Sequence, residues 1–179
     1  MLSSSARKRI RESFDRAAET YDGAATVQRH VCRRLLDAFS DCVGDPGDIL
    51  DAGCGTGYGM RLLRARWPTA RIVGTDFAPS MLARARFAAD ACFMADIENL
   101  PLPDKAFDLW WSSLTIQWCD DARVFVEAAR TLKPGGRLIV STLGPATFRE
   151  LREAFSGVDE YRHTLLFSEA ESVKVSLEN

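Results

Sequence analysis

The sequence predicts an α/β fold: a doubly wound parallel sheet with helices on both faces, and two further helices in front of the first strand. Three observations predict it. A short apolar run, Ile49-Leu50-Asp51-Ala52, ends in a cluster of glycines, as a buried parallel strand does where it turns into a helix. Beyond it, apolar runs alternate with segments of helical periodicity, the pattern of strand–helix–strand units. Before it, the chain carries helical periodicity alone.

Each element follows from local pattern. Ile10, Phe14, Ala17 and Tyr21 recur every three or four residues and predict the first helix. Val27, Val31 and Leu35, with Ala38 and Phe39 continuing the face, predict the second. Tyr21-Asp22-Gly23 separates them, and Gly44-Asp45-Pro46-Gly47 reads as a turn. After the first strand a helix is expected from about Gly57 to Trp67, stopped before Pro68. Residues 71–75 make the second strand. Pro79 suits the first turn of a helix with Met81, Ala85 and Ala89 on one face. Residues 92–95 and 107–111 make the third and fourth strands. Asp121 is placed to cap a helix carrying Val124, Ala128 and Leu132, ended by Lys133-Pro134-Gly135-Gly136. Residues 137–143 form the fifth strand, and 147–155 open another helix. The remainder shows only the alternation Val173-Lys174-Val175, with room for one strand at 173–177. One domain results: an N-terminal helical lid (1–45), an α/β core (48–156) and an irregular tail (157–179).

Composition narrows the function classes. The chain has 179 residues, 46% of them hydrophobic, enough for one sizeable core. A net charge of −2 gives no global pull toward nucleic acid or anionic membrane. The first 40 residues carry a balance of +3 and the rest −5, so the front section is mildly basic. Five cysteines without CxxC spacing, and only His30 and His163 beside them, predict no metal site and reduced thiols. The N-terminus has no apolar run of signal-peptide type, and no uncharged stretch is long enough to span a bilayer. The expectation is a soluble cytoplasmic protein.

The chemistry is concentrated in Asp51-Ala52-Gly53-Cys54-Gly55-Thr56-Gly57. Glycines two apart allow a tight turn and let a ligand lie against the main chain. The helix that follows offers unpaired N–H groups to an anionic group. A dinucleotide fingerprint would require glycine at 58 or 60, where Tyr58 and Met60 stand. S-adenosylmethionine, with an amino-acid carboxylate in place of a pyrophosphate, fits the turn. Asp76, after the second strand, can accept both ribose hydroxyls, with Phe77 beside it to flank an adenine. Asp96 can accept the adenine amino group, with Ile97 packing on the ring. All lie at the carboxyl ends of successive strands, where ligands bind in such sheets.

These residues, with Leu132-Lys133-Pro134-Gly135-Gly136 before the fifth strand, resemble the Rossmann-like class I S-adenosylmethionine-dependent methyltransferases over residues 48–143. A narrower resemblance is to the malonyl-acyl-carrier-protein O-methyltransferases of biotin synthesis. It rests on residues 14–18, Thr20-Tyr21-Asp22, Val27-Gln28-Arg29, residues 112–119 with the Gln117-Trp118 pair, and Ser141-Thr142-Leu143-Gly144 followed by Phe148, Glu150 and Leu151.

The resemblance implies methylation of the free carboxylate of a malonyl thioester on an acyl carrier protein, or on coenzyme A. Such a carboxylate, with a pKa near ~4, is ionised at neutral pH, so no general base is needed. Alignment does the work, and can supply roughly 7–11 kcal/mol of the barrier. By resemblance Tyr21 stands at the mouth of the active site, its hydroxyl toward the substrate carboxylate, and Gln117 faces the acceptor. The implied cofactor set is Arg29, Asp51, Gly53, Cys54, Gly55, Gly57, Asp76, Phe77, Met81, Asp96, Ile97 and Ser112, with no metal. Trp118 walls the pocket, and Trp110 and Trp111 read as strand packing. Arg7, Lys8, Arg9, Arg11, Arg16, Arg149 and Arg152 are candidates for docking an acidic carrier. The family continues past the fifth strand with a strand pair that is missing or shortened here. Two other readings therefore stand open: a methyltransferase for another small acid or metabolite, and a cofactor-binding remnant without activity.

Overall fold

The computed structural model describes residues 3–159, 161 and 164–178. Five parallel strands form one sheet in the order β3-β2-β1-β4-β5: β1 (Asp48–Ala52), β2 (Arg71–Asp76), β3 (Ala91–Met94), β4 (Phe107–Ser113) and β5 (Leu132–Ser141). Between them run α4 (Tyr58–Arg66), α5 (Pro79–Ala85) and α6 (Asp121–Thr131). The chain starts with α1 (Ser4–Ala17), α2 (Tyr21–Ala24) and α3 (Thr26–Phe39), and ends with α7 (Arg149–Phe155) and α8 (Ala170–Glu178). The expected α/β class and parallel sheet are present.

The sheet buries side chains on both faces. Ile49, Leu109, Trp111 and Ile72 pack with Met60, Leu63 and Cys32 on one side; Leu50, Trp110 and Val73 pack with Val124, Phe125 and Ala128 on the other. Near-continuous apolar strands are what a two-sided sheet requires. Trp110 and Trp111 are buried to 0% and 1% exposure, as strand packing demands. The N-terminal ends of β1 and β4 are tied by charge. Lys133 Nζ lies 2.8 Å from both Asp48 and Asp108, and Asp108 also accepts the N–H groups of Gly47 and Asp48.

Several expectations are corrected. The break after the first helix falls at Ala18–Thr20, so Tyr21 opens a separate one-turn helix. Of the apolar face expected for α3, Leu35 is buried and Val31 half-buried, whereas Val27 and Phe39 are exposed; Cys32 completes the inner face. The N-cap of α6 is Asp120, not Asp121. β5 begins at Leu132: the Lys-Pro-Gly-Gly turn is absorbed as a bulge between the pairs Leu132↔Phe107 and Arg137↔Leu109, with Gly135 at φ +81°. Residues 173–177, expected as irregular or as a strand, are part of the helix α8, whose Val173 packs on the core. Its apolar residues Val173, Val175 and Leu177 alternate like a strand, but tertiary packing against α6 overrides that short signal. His163 lies outside the described residues.

Candidate active site

Two cavities open where the strands end. The larger, about 500 Å³, is floored by Gly53, Gly55, Asp76, Phe77, Met81, Asp96 and Ile97, walled by Leu114, Thr115 and Trp118, and roofed by Arg7, Ile10 and Phe14 of α1. The smaller, about 70 Å³, is lined by Asp22, Gln28, Arg29, Asp51, Cys54, Tyr58 and Trp111. Tyr21, Gly53, Gly55 and Ser113 line both, so the two spaces adjoin at the glycine turn.

The turn has left-handed backbone at Gly53, Gly55 and Gly57, where any Cβ is strained. Gly53 and Cys54 both donate their N–H groups to the Thr75 carbonyl, at 2.8 and 2.9 Å. Asp76 braces the same turn: its Oδ2 accepts the Gly55 N–H and its Oδ1 that of Ala78, both at 2.9 Å. Burial raises its pKa despite these bonds. A Cβ at Gly53 would lie 2.3 Å from the Thr115 side chain, and one at Gly57 would lie 3.1 Å from Ala85 of α5. A Cβ at Gly55 would meet no protein atom within 4 Å. The glycines therefore differ: Gly53 and Gly57 make room for protein, Gly55 leaves space in the cavities.

Asp51 is buried to 2% exposure, and burial, with the charge of Asp76, pushes its carboxyl up to about 8. Its Oδ2 has no hydrogen-bond partner, and neither do the Trp111 indole N–H nor the Tyr58 hydroxyl. All three residues line the smaller cavity. Buried polar groups are normally paired, so three orphans around one cavity point to a polar occupant.

The N-terminal helices close over this floor. Arg7 Nη1 lies 2.6 Å from Asp96 Oδ2, and the same guanidinium pairs with Glu98. Asp15 accepts the Ser80 N–H at 2.9 Å. Phe14 centres a ring cluster with Tyr21, Phe77 and Trp118, at centroid distances of 6.3, 6.1 and 5.7 Å. Asp22 tethers α2 to the turn by accepting the Thr56 hydroxyl at 2.5 Å, and Arg29 donates to the Asp22 carbonyl. The Tyr21 phenol is raised by burial and by Asp76 and Asp22.

Of the residues named from sequence, Tyr21, Gly53, Gly55, Asp76, Phe77, Met81, Asp96 and Ile97 surround the larger cavity, and Arg29, Asp51 and Cys54 join Tyr21 at the smaller. Ser112 lines neither; its buried hydroxyl donates to the Ala52 carbonyl at 2.6 Å. Gly57 also lines neither. Gln117 donates to the Leu114 carbonyl at 2.6 Å and lines a third concavity with Thr142 and Phe167. Sequence reasoning missed Asp22, Thr115 and Glu98. Asp22 follows Tyr21 in a segment already singled out, but no spacing rule joins it to Thr56.

A parallel sheet of this order, with a glycine turn after the central strand and acids after the next two, defines a class: α/β proteins that hold a nucleoside-bearing ligand at the strand ends. Residues 50–140 match the family model described as methyltransferase domain. Two curated relatives are malonyl-acyl-carrier-protein O-methyltransferases. That of Dechloromonas aromatica is 53% identical, over 89% of this chain and 60% of its own length. That of Laribacter hongkongensis is 46% identical, over 90% and 59%. The chain thus spans about three fifths of the length of these relatives. The crystal structure of a SAM-dependent methyltransferase from Thermotoga maritima, possibly a histamine N-methyltransferase, superposes with a TM-score of 0.70 at 26% identity, covering 92% of this chain and 77% of that one. The chain belongs to the methyltransferase domain family, whose cofactor is S-adenosylmethionine. Among the described residues no helix is long and apolar enough to cross a membrane.

Proposed function

We propose that the protein transfers the methyl group of S-adenosylmethionine to the free carboxylate of a malonyl group carried by an acyl carrier protein, in the cytoplasm, as a step of biotin precursor synthesis. The observation that carries this reading is the pair of adjoining cavities, one small with unpaired polar groups and one larger with apolar walls, joined at Tyr21. The cofactor supplies an electrophilic methyl group on a sulfonium sulfur.

The residues fit that cofactor. Asp51 Oδ2 is an unused acceptor suited to an ammonium. The Trp111 N–H, the Tyr58 hydroxyl and Arg29 are donors suited to a carboxylate. The nucleoside end is served by Asp76 for the ribose hydroxyls and Asp96 for the adenine amino group, with Phe77, Met81 and Ile97 as flanking surfaces and the backbone of Gly53, Cys54 and Gly55 beneath. Ser112 and Gly57 act by support: one holds the end of β1, the other lets α4 pack on α5. Gln117, at the third concavity, is placed to shape the wall rather than touch the cofactor.

Tyr21 binds the acceptor. Its raised pKa keeps the phenol protonated, so it donates a hydrogen bond to the malonyl carboxylate. An ionised carboxylate needs no base to attack the methyl carbon; the enzyme holds it in line and keeps water out under the aromatic cluster of α1. The names of the relatives support a carrier-bound acceptor. Lys8 and Arg11 at the rim of the larger cavity suit an acidic carrier.

Incubation with methyl-labelled S-adenosylmethionine and, separately, malonyl-carrier protein, malonyl-coenzyme A and malonate tests the reading. Label should enter the carrier protein as a base-labile ester, and enter malonyl-coenzyme A at least tenfold more slowly. Label that enters only free acids, or none of the three, contradicts it.

A further inference from the structure

Two thiols meet beneath the glycine turn. In register across the sheet, Gly74 of β2 pairs with Asp51 of β1 on one side and Cys92 of β3 on the other. A Cβ at Gly74 would lie 3.1 Å from Cys54 Sγ and 2.5 Å from Met60 Sδ. The Cys54 side chain thus folds down from the turn onto the bare backbone of β2. Cys92, the register neighbour of Gly74, packs with it on the same side of the sheet. The Cys54 thiol donates to the Gly55 carbonyl at 3.9 Å, and the two neighbouring sulfurs act on each other, Cys92 being held below its ordinary value and Cys54 raised above its own. Cys92 is partly exposed and Cys54 buried, an arrangement of attacking and resolving sulfur. By contrast, burial pushes Cys32 and Cys119 up to about 12, so neither competes as a thiolate.

We propose that Cys54 and Cys92 are an oxidation site at which a peroxide forms a disulfide that closes the cofactor site. The Cys92 thiolate attacks one oxygen of hydrogen peroxide; the O–O bond breaks, leaving a sulfenic acid, and the departing hydroxide takes up the thiol proton as water. Cys54 sulfur then attacks the sulfenic sulfur, the S–S bond forms, and a second water leaves. Two thiols are oxidised and one peroxide is reduced to two waters.

The consequence is mechanical. An S–S bond of about 2.05 Å is far shorter than any non-bonded sulfur contact, so the bond draws Cys54 toward β3. Cys54 stands between Gly53 and Gly55, whose positions are fixed by Thr75, Thr115 and Asp76. Moving it distorts the backbone that floors both cavities. By linkage, a ligand that needs the reduced geometry protects the pair from oxidation. The effect on ligand binding rests on the cofactor reading above; formation of the disulfide does not.

The test treats the full chain, carrying Cys42→Ser to remove the exposed thiol, with hydrogen peroxide. Peptide mass mapping then seeks a Cys54–Cys92 cross-link, and calorimetry follows S-adenosylhomocysteine binding before treatment, after it and after dithiothreitol. The expected results are the cross-linked peptide, at least a tenfold loss of affinity, recovery on reduction, slower cross-linking in the presence of S-adenosylhomocysteine, and indifference to peroxide in a Cys92→Ser variant. Absence of the cross-link, or a cross-linked protein with unchanged affinity, would overturn the proposal. A chain that cross-links yet never binds S-adenosylhomocysteine even when reduced counts against the cofactor reading and leaves the thiol chemistry supported.

Discussion

Gly53 and Gly55 share a left-handed backbone, at φ +81° and +54°, yet alanine at the two positions should do different things. At Gly53 the added methyl meets Thr115 at 2.3 Å, so clash adds to roughly 1–2 kcal/mol of backbone strain, and thermal stability should fall. At Gly55 only the strain applies, because the methyl meets no protein atom within 4 Å. Gly55→Ala should stay folded in a melting experiment and bind S-adenosylhomocysteine at least tenfold more weakly by calorimetry. Asp51 gives a second test at this scale. Its pKa is about 8 in the folded chain against about 4 when unfolded. The folded state therefore takes up a proton between these values; the group's contribution to stability is full below the lower value and lost as pH rises through about 8. Binding of an ammonium favours the opposite, ionised form. Affinity for S-adenosylhomocysteine should rise by up to tenfold per pH unit between about pH 6 and 8, and Asp51→Asn should remove that slope. A flat profile in the unaltered protein would refute the assignment of Asp51.

Among elements, α1 has no fully buried residue and is held over the larger cavity by polar ties and one ring cluster. Arg7 is its main link, through Asp96 and Glu98. The Asp96 pair, with side chains 30% and 45% exposed, weakens in salt, whereas the Glu98 carboxylate is 4% exposed and is screened less. Arg7→Ala should raise the dissociation rate of S-adenosylhomocysteine severalfold in stopped-flow and speed hydrogen exchange in α1, while high salt, which screens chiefly the Asp96 pair, should do so to a smaller extent in the unaltered chain and little in the variant. An unchanged rate would mean that α1 does not gate the site. α1 was legible only as helix. Its periodicity showed an apolar side, but not that Asp15 caps the start of α5 or that Arg7 reaches the loop after β3, since pairs 65 and 89 residues apart leave no local signal. The same limit explains β5 and α8. The Gly135-Gly136 pair looks like a turn, and only pairing with β4 makes it a bulge; Val173 and Val175 look like a strand, but the segment is a helix packed against α6 with Val173 on the core and Val175 exposed.

At the scale of the molecule, charges and chemistry occupy opposite ends of the sheet. Lys133, Asp48 and Asp108 fasten the strands where they begin, and the cavities lie where they end. The carboxylate of Asp108, raised by burial but lowered more by Lys133 and by two backbone N–H groups, stays below its ordinary range. The sheet and the glycine turn were legible because a parallel strand buried on both faces reads as an apolar run, and because the acids Asp51, Asp76 and Asp96 stand at or just after the carboxyl ends of β1, β2 and β3. The division of the site into two cavities was not legible, because it depends on where α1, α2 and α3 land. A crystal structure of the complex with S-adenosylhomocysteine would show whether the ligand divides between the two cavities. The amino-acid end is expected in the smaller cavity, its ammonium on Asp51, with the adenosine across Asp76 and Asp96 in the larger one and the sulfur beside Tyr21. An amino-acid end lying in the larger cavity, with Asp51 still unpaired, would contradict that placement.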